Sequence, residues 1–494
     1  MSGEPLIFER SVPGRRATRW PKADDHRPLP SLIPSSFLRE QPPALPEISE
    51  LDAVRHFTRL SQLNYSIDTH FYPLGSCTMK YNPKVNDRIV AMPGVAQLHP
   101  YQPIEQCQGM LQLLWELEQW LCEICGMQAF SLQPAAGAQG ELTGLKIIRA
   151  YHVAQGAPRK TVLVPDSAHG TNPASAALSG YQVVQVPSGP DGLVDLAALR
   201  ALVSKDVAAL MLTNPNTLGL FEREIKAICD LMHQHGALVY LDGANLNPLL
   251  SIVRPGAMGI DLIQLNLHKT FSTPHGGGGP GAGPVGVVAR LAPLLPVPRI
   301  EQHGEHFTLN ADAPQSIGKV RSFYGNAGIL VRAYTYMRTL GREGLERVGR
   351  AAIINANYLR ERLTEHYQVR YGRHCMHEFV LTLKRQAQQG ASCLDIAKRL
   401  LDYGFYAPTI YFPLIVEEAM MIEPTETESR ETLDAFADAL ITIAKEVQED
   451  PQRVRQAPTT TPVGRLDEVG AARNLNLRWS HHLSAKRPET CPTH

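Results

Sequence analysis

From Phe130 to about Arg290, seven short β-rich apolar runs alternate with stretches of helical pattern, and this alternation restricts the possible folds more than any other feature. The runs are Phe130 to Leu132, Thr161 to Val164, Val183 to Val186, Val207 to Leu212, Leu238 to Leu241, Leu262 to Leu265 and Val285 to Ala289. Strand-sized runs separated by helices join as parallel strands through crossovers. The expected architecture is therefore α/β, with a mostly parallel seven-stranded sheet covered by helices on both faces. Ligands in such sheets bind beyond the carboxyl ends of the strands, so the loops after the runs are where chemistry should lie.

Four of those loops are polar or rich in small residues. After the first run, Gln133 to Gly140 opens the helical stretch ELTGLKIIRAYH, and small residues at a helix start expose N–H groups suited to an anion such as phosphate. After Val164 comes PDSAHGTNPASAA, carrying His169; after Leu212 comes TNPNTLGLFE, with Thr213, Asn214 and Asn216. After Leu241 comes Asp242-Gly243-Ala244-Asn245. A carboxylate ending an apolar strand either caps the next helix or pairs with a partner.

The sixth run leads through Leu267 into His268 and Lys269, then into a loop holding Gly276 to Gly279, Gly281 and Gly283 among prolines. The expected position of Lys269 is a strand end. Glycines there let the backbone adopt positive φ and pass close to a ligand. A lysine held against an apolar strand loses solvation, which favours the neutral, nucleophilic amine that Schiff-base chemistry requires. The Walker pattern of a nucleotide loop is absent, and the lysine precedes the glycines. Asp242 and Lys269 are separated by about one strand–helix–strand unit, so the two are expected at neighbouring strand ends facing one pocket.

The 494 residues exceed one ordinary core. Domains are expected at 1–100 (a proline-rich N-terminal arm and a loop segment), 101–335 (the large domain), 336–450 (a smaller α+β domain) and 451–494 (a tail with a disordered polar end). Helical pattern covers 51–65, 104–125, 394–404 and 425–449, and His377 to Leu383 reads as a strand. With 48 basic and 48 acidic side chains, nothing in the net charge attracts nucleic acid or an anionic membrane. No apolar run reaches a membrane span and no secretion signal is visible, so the expected compartment is the cytoplasm. Scattered cysteines fit a reducing compartment, and Cys122 with Cys125 reads as a helix face rather than a zinc site. No metal is expected.

A Schiff-base lysine, a phosphate cradle, an acid for a ring nitrogen and a group packing on the ring together describe the needs of pyridoxal phosphate. Lys269, the Gly137 loop, Asp242 and His169 are the candidates. With these in place, FYPLGSCTMKYNPK, QPAAGAQGELTGLKIIRAYH, HGTNPASA, VYLDGAN, LNLHKTF, PHGGGGPGAGPVGV, RSFYGNAGILVRAY, MHEFV, YGFYAP and EPTETES resemble the glycine decarboxylase, or P-protein, family of the glycine cleavage system. The likeness spans roughly residues 60 to 430. It is closest to the bacterial form split into two chains, and to the catalytic second chain.

The resemblance implies a fold type I pyridoxal-phosphate enzyme that decarboxylates glycine and passes the aminomethyl group to the lipoyl disulfide of H-protein. It also implies a heterotetramer with a first subunit. Lys269, His169, Asp242 and His268 would be catalytic. Gly137, Ala138, Gln139, His169, Thr213, Asn214, Asp242, Ala244, His268 and Lys269 would hold the cofactor, with His268 either at the reacting centre or on the phosphate. Ala135-Ala136 replaces the Asn-Ser of single-chain relatives, which leaves phosphate binding to backbone N–H groups. Phe71 and Tyr72 also depart from the longer relatives. Two other readings stay open: a fold type I decarboxylase or desulfurase acting without H-protein, the latter requiring a cysteine such as Cys77, and a non-catalytic half supporting its partner.

Overall fold

The computed structural model describes residues 4–18, 24, 26–41, 43–274, 281–372 and 374–477. Residues 70–457 form one compact unit; residues 1–69 and 458–494 group as another. In the latter, short helical turns at Ile7–Arg10 and Leu29–Leu32 interrupt an otherwise extended, proline-rich segment, and Glu50–Gln62 is a helix capped by Ser49. The glycines from Gly276 to Gly279 and the polar C-terminal end lie outside the described residues.

The larger unit is built on a seven-stranded sheet. Its strands are β1 (Ala129–Ser131), β2 (Thr161–Pro165), β3 (Gln182–Val186), β4 (Val207–Thr213), β5 (Leu238–Gly243), β6 (Leu262–Leu265) and β7 (Val285–Val287). The order is β1-β7-β6-β5-β4-β2-β3; β7 alone runs against its neighbours. All seven expected runs are strands of this one sheet. β2, β4 and β5 are apolar through their middles, and β6 is apolar but for Gln264, because both faces are covered. Alternate residues feed two cores: Leu163, Leu210, Val239 and Ile263 enter one, while Val162, Ala209, Leu238 and Leu262 enter the other.

The helix Gly137–Ala154 lies close against the sheet because glycine faces it: a Cβ on Gly144 would stand 2.3 Å from the Tyr240 ring. β2 pairs with β3 on one side and β4 on the other, so the strand order reverses between β2 and β4. A crevice opens at such a reversal.

Lys269 departs from expectation. β6 ends at Leu265, and Lys269 sits in a single helical turn, Leu267–Thr270, not at the strand end. Leu267 N–H bonds to Ala282 O at 3.1 Å, which draws the backbone out of the ladder and into that turn.

A hairpin, β8 (Arg299–His303) and β9 (His306–Asn310), follows, then a long helix, Ala327–Leu363, bent at Gly341. A second, four-stranded sheet contains β10 (Gln368–Val369), β11 (Phe379–Thr382), β12 (Thr409–Ile410) and β13 (Ala419–Ile422) in the order β10-β11-β13-β12. Helices Cys393–Asp402 and Arg430–Glu449 pack on it around Phe379, Phe436 and Leu440. No helix among the described residues is long and apolar enough to cross a membrane.

Candidate active site

The carboxyl ends of β2, β4 and β5 and the turn after β6 meet around a cavity of about 120 Å³ lined by Gly137, His169, Thr213, Asp242, Lys269 and Glu378, among others. Thr213 and Asp242 are register partners on β4 and β5, and Asp242 lies beside Gln264 of β6. Asp242 is buried. Its carboxylate accepts hydrogen bonds from Asn172 Nδ2 at 2.8 Å, from Ala244 N–H at 3.0 Å and from Gln264 Nε2. Three donors hold it, leaving its edge toward the cavity for another.

Lys269 is half-buried, and its Nζ donates to Ser76 O at 2.6 Å. Ser76 belongs to the segment that precedes the helix Lys84–Val90, and its φ of 64° is in the left-handed region. His169 lies after β2, with Nδ1 2.8 Å from Thr171 Oγ1 and its ring 5.7 Å from that of Phe412. Burial, reinforced by the Lys269 charge, depresses its basicity, so it presents a neutral ring.

The helix Gly137–Ala154 starts at this end of the sheet with Ala136 as its N-cap and no side chain capping it. The first-turn N–H groups therefore point at the cavity mouth with nothing of the helix's own to bind. A Cβ on Gly137 would fall 2.1 Å from Asn266 Oδ1, so only glycine fits there. Buried Oγ1 of Thr213 and Oδ1 of Asn266, both on the cavity wall, have no hydrogen-bond partner among the described residues.

Of the expected site residues, Gly137, Ala138, His169, Thr213, Asp242, Ala244 and Lys269 line this cavity. Three others turn elsewhere. Gln139 folds back, accepting from Ala135 N–H at 2.7 Å and donating to Val320 O at 2.8 Å. The Asn214 amide oxygen takes Glu222 N–H at 2.9 Å, and Pro215 and Thr217 line the wall in its stead. His268 packs its ring against Gly281 and Ala282.

The cavity also holds acids that sequence reasoning gave no role. Glu141 lies one helical turn beyond Gly137 and accepts from Thr171 Oγ1 at 2.7 Å and Ser175 Oγ at 2.9 Å. Burial, and then the nearby Asp242, push its carboxyl up to about 7. Its i+4 spacing from Gly137 was a usable signal. His377 and Glu378 precede β11 and Glu423 follows β13, all buried. Nothing periodic marks them; only their place in MHEFV and EPTETES set them apart.

Two family models match the chain: "Glycine cleavage system P-protein" over residues 26–300 and "Glycine dehydrogenase, C-terminal domain" over 348–461. The chain is 58% identical over 477 residues to a Caldanaerobacter subterraneus subsp. tengcongensis protein, covering 96% of this chain and 98% of that one. It is 59% identical over 480 residues to one from Chlorobium phaeobacteroides, covering 96% and 99%. Both are named probable glycine dehydrogenase (decarboxylating) subunit 2. A crystal structure of glycine decarboxylase (P-protein) of the glycine cleavage system, in inhibitor-bound form, superposes with TM-score 0.71 at 22% identity, covering 84% of this chain and 94% of that one. Lactobacillus brevis glutamate decarboxylase superposes at 0.61 and 14%, covering 83% and 96%. These likenesses show a shared fold.

Proposed function

This chain belongs to the glycine cleavage system P-protein family, and from that membership we propose that it is the pyridoxal-phosphate-bearing second subunit of a split glycine dehydrogenase (decarboxylating). Its fold is the fold type I pyridoxal-phosphate fold, a seven-stranded, mostly parallel sheet with a smaller C-terminal α+β region. It decarboxylates glycine, passes the aminomethyl group to the lipoyl group of H-protein, and works in the cytoplasm as a heterotetramer with a first subunit. The observation carrying this reading is the convergence of Asp242, at the end of β5, and Lys269, in the turn after the neighbouring β6, on one cavity beside an uncapped helix start.

The residues fit the cofactor. Backbone N–H groups of Gly137, Ala138 and Gln139 would take its phosphate, and the unpartnered Thr213 Oγ1 and Asn266 Oδ1 offer polar contacts on the wall. When bound, pyridoxal phosphate supplies an aldehyde that takes up the substrate amine and a ring that withdraws the electron pair left as carbon dioxide departs. Asp242, fixed by Asn172 and Gln264, would hold a proton on the ring nitrogen. His169, neutral and lining the cavity, would pack on the ring face. Lys269, whose Nζ now donates to Ser76 O, would hold the cofactor through its amine and would carry protons at Nζ. Neither Gln139's side chain nor Asn214 is needed in this arrangement.

The test is exchange of labelled bicarbonate into glycine by the co-expressed two-subunit complex with lipoylated H-protein. Exchange should require both subunits, and borohydride should fix the cofactor on Lys269. In Lys269→Ala the label should vanish; a label that persists would mean another lysine carries the cofactor. Full exchange without the first subunit would refute the split enzyme.

A further inference from the structure

Glutamates hold every second residue of the segment Ser76 to Lys80. Ser76 N–H donates to Glu378 Oε2 at 2.8 Å, Thr78 donates through N–H and Oγ1 to Glu423 at 3.0 and 2.7 Å, and Lys80 Nζ pairs with Glu426 at 2.6 Å. The last is an ion pair. The first two glutamates are different, because they sit together: ligand atoms of His377, Glu378 and Glu423 lie within 4.8 Å of one another, and all three residues are buried. Two buried carboxylates that close cannot both be ionised at neutral pH, so the pair keeps a proton.

Hydrogen bonding decides which oxygen has it. Glu423 accepts three donors, Thr78 N–H, Thr78 Oγ1–H and Asn245 Nδ2 at 2.6 Å, as an ionised carboxylate does. Glu378 accepts one, Ser76 N–H on Oε2, while Oε1 stands 3.6 Å from His377 Nε2. The proton belongs on Glu378 Oε1. Burial, and then the Glu423 charge, raise the Glu378 carboxyl well above its ordinary range, in agreement. The other ionisable groups facing the pair are His377, which burial pushes down to about 3 and so leaves neutral, Cys77, whose thiol burial pushes up, and Lys269. Glu378 and Lys269 line the same cavity.

The reaction proposed above has a proton to account for. The glycine C–C bond breaks, its electron pair goes into a new bond from carbon to one sulfur of the acceptor disulfide, and the S–S bond breaks. The departing sulfur leaves with the S–S bonding pair and becomes a thiol only by gaining one proton. Resting on the function proposed above, we propose that Glu378 is the acid of this site, its Oε1–H supplying the proton taken up by the sulfur that leaves the acceptor disulfide. Glu423 is a positioning residue that keeps Glu378 protonated.

The test uses the co-expressed two-subunit holoenzyme with Glu378→Gln and Glu378→Asp. Glu378→Gln should keep the borohydride-fixed label on Lys269 and the glycine-induced change in cofactor absorbance. Its aminomethyl transfer to lipoylated acceptor protein should fall about 10²–10⁴-fold, the usual worth of a positioned acid. Transfer to an aryl disulfide, whose thiol leaves without needing a proton, should fall less than about tenfold. Glu378→Asp should recover part of the lipoyl transfer. In the cofactor-free complex at pH 7, the infrared difference spectrum of parent minus Glu378→Gln should show the band of one protonated carboxyl, distinct from those of Glu118 and Glu141, which both proteins share. Should that variant fail to assemble, Glu423→Gln serves, since losing its charged neighbour should lower the pH at which the band disappears. Equal slowing with both acceptors, no such band in the parent complex, an unmoved midpoint in Glu423→Gln, or a stoichiometric divalent metal in the purified complex would each overturn the proposal. Absence of the Lys269 label in the parent complex would instead remove the underlying function.

Discussion

Replacing Lys80 by methionine should destabilise the larger unit more than almost any other single polar change. The Lys80 side chain is 1% exposed and that of Glu426 is 7% exposed. Its Nζ lies 2.6 Å from Glu426 Oε1 and donates to Thr270 O at 2.8 Å and Asn247 Oδ1 at 3.3 Å. Removing one member of such a buried pair strands the other charge, at a cost of about 3–5 kcal/mol. Removing both in Lys80→Met/Glu426→Leu strands no charge and leaves neutral groups short of a partner, the Thr270 and Asn247 oxygens and, more weakly, the Asn247 amide and the Tyr336 hydroxyl, at about 1–3 kcal/mol. The double variant should therefore be more stable than Lys80→Met by about 2 kcal/mol. Burial opposes the Lys80 charge, but the Glu426 carboxylate outweighs it and holds the ammonium above its ordinary range. A raised lysine contributes fully below its unfolded value and loses that contribution only as pH rises through the higher folded one, so a measurement at pH 8 captures all of it. Urea unfolding of the complex, followed by tryptophan fluorescence, is the assay. With a slope of about 3 kcal/mol per molar, 4 kcal/mol moves the midpoint by about 1.3 M. Lys80→Met should also lose cofactor readily, because Thr270 O ends the turn that carries Lys269. A midpoint shift under about 0.3 M, or a double variant as unstable as the sum of the singles, would refute this account.

Asp242→Asn should keep the cofactor yet lower kcat for bicarbonate exchange by at least about 10²-fold, because an amide cannot hold the ring nitrogen's proton; steady-state kinetics and the absorbance spectrum check it. Gly137→Ala should weaken cofactor affinity by about tenfold or more, since the added methyl meets Asn266 and crowds the helix start; titration of the cofactor-free complex reads this directly. Glu118, 6% exposed and 3.6 Å from Arg299, has its carboxyl pushed up to about 7 by burial. The folded state therefore holds a proton that the unfolded state loses between about pH 4.5 and 7, and stability falls across that window. Glu118→Gln should flatten the fall, by up to about 3 kcal/mol, and leave stability below pH 4 unchanged; thermal unfolding against pH measures it.

The sheet was legible because its information is local. Each strand is a run of apolar, β-branched residues between breakers, and β6 matches the expected Leu262 to Leu265 residue for residue. The meeting of Asp242 and Lys269 was legible for the same reason, since a parallel crossover of that length brings the two ends side by side. What failed depended on partners elsewhere in the chain. The turn at Lys269 could not be told from a strand end, because Leu267 leaves the ladder only through its bond to Ala282, beyond the glycine loop. Which way the amides of Asn214 and Gln139 point depends on partners such as Glu222 N–H and Val320 O, while the Gln139 backbone N–H stays in the first turn of its helix.

By itself, then, the chain's order of residues determined the layered α/β scaffold, the strand ends and the meeting of the lysine and the aspartate near them, since hydrophobic periodicity and crossover length act over tens of residues. Only the tertiary structure decided the charge inside the cavity. Glu378, Glu423 and Glu426 lie about 300 or more positions from the segment they grip. A carboxyl keeps or loses its proton according to the water, charges and donors around it, and those neighbours are assembled only when the chain has folded.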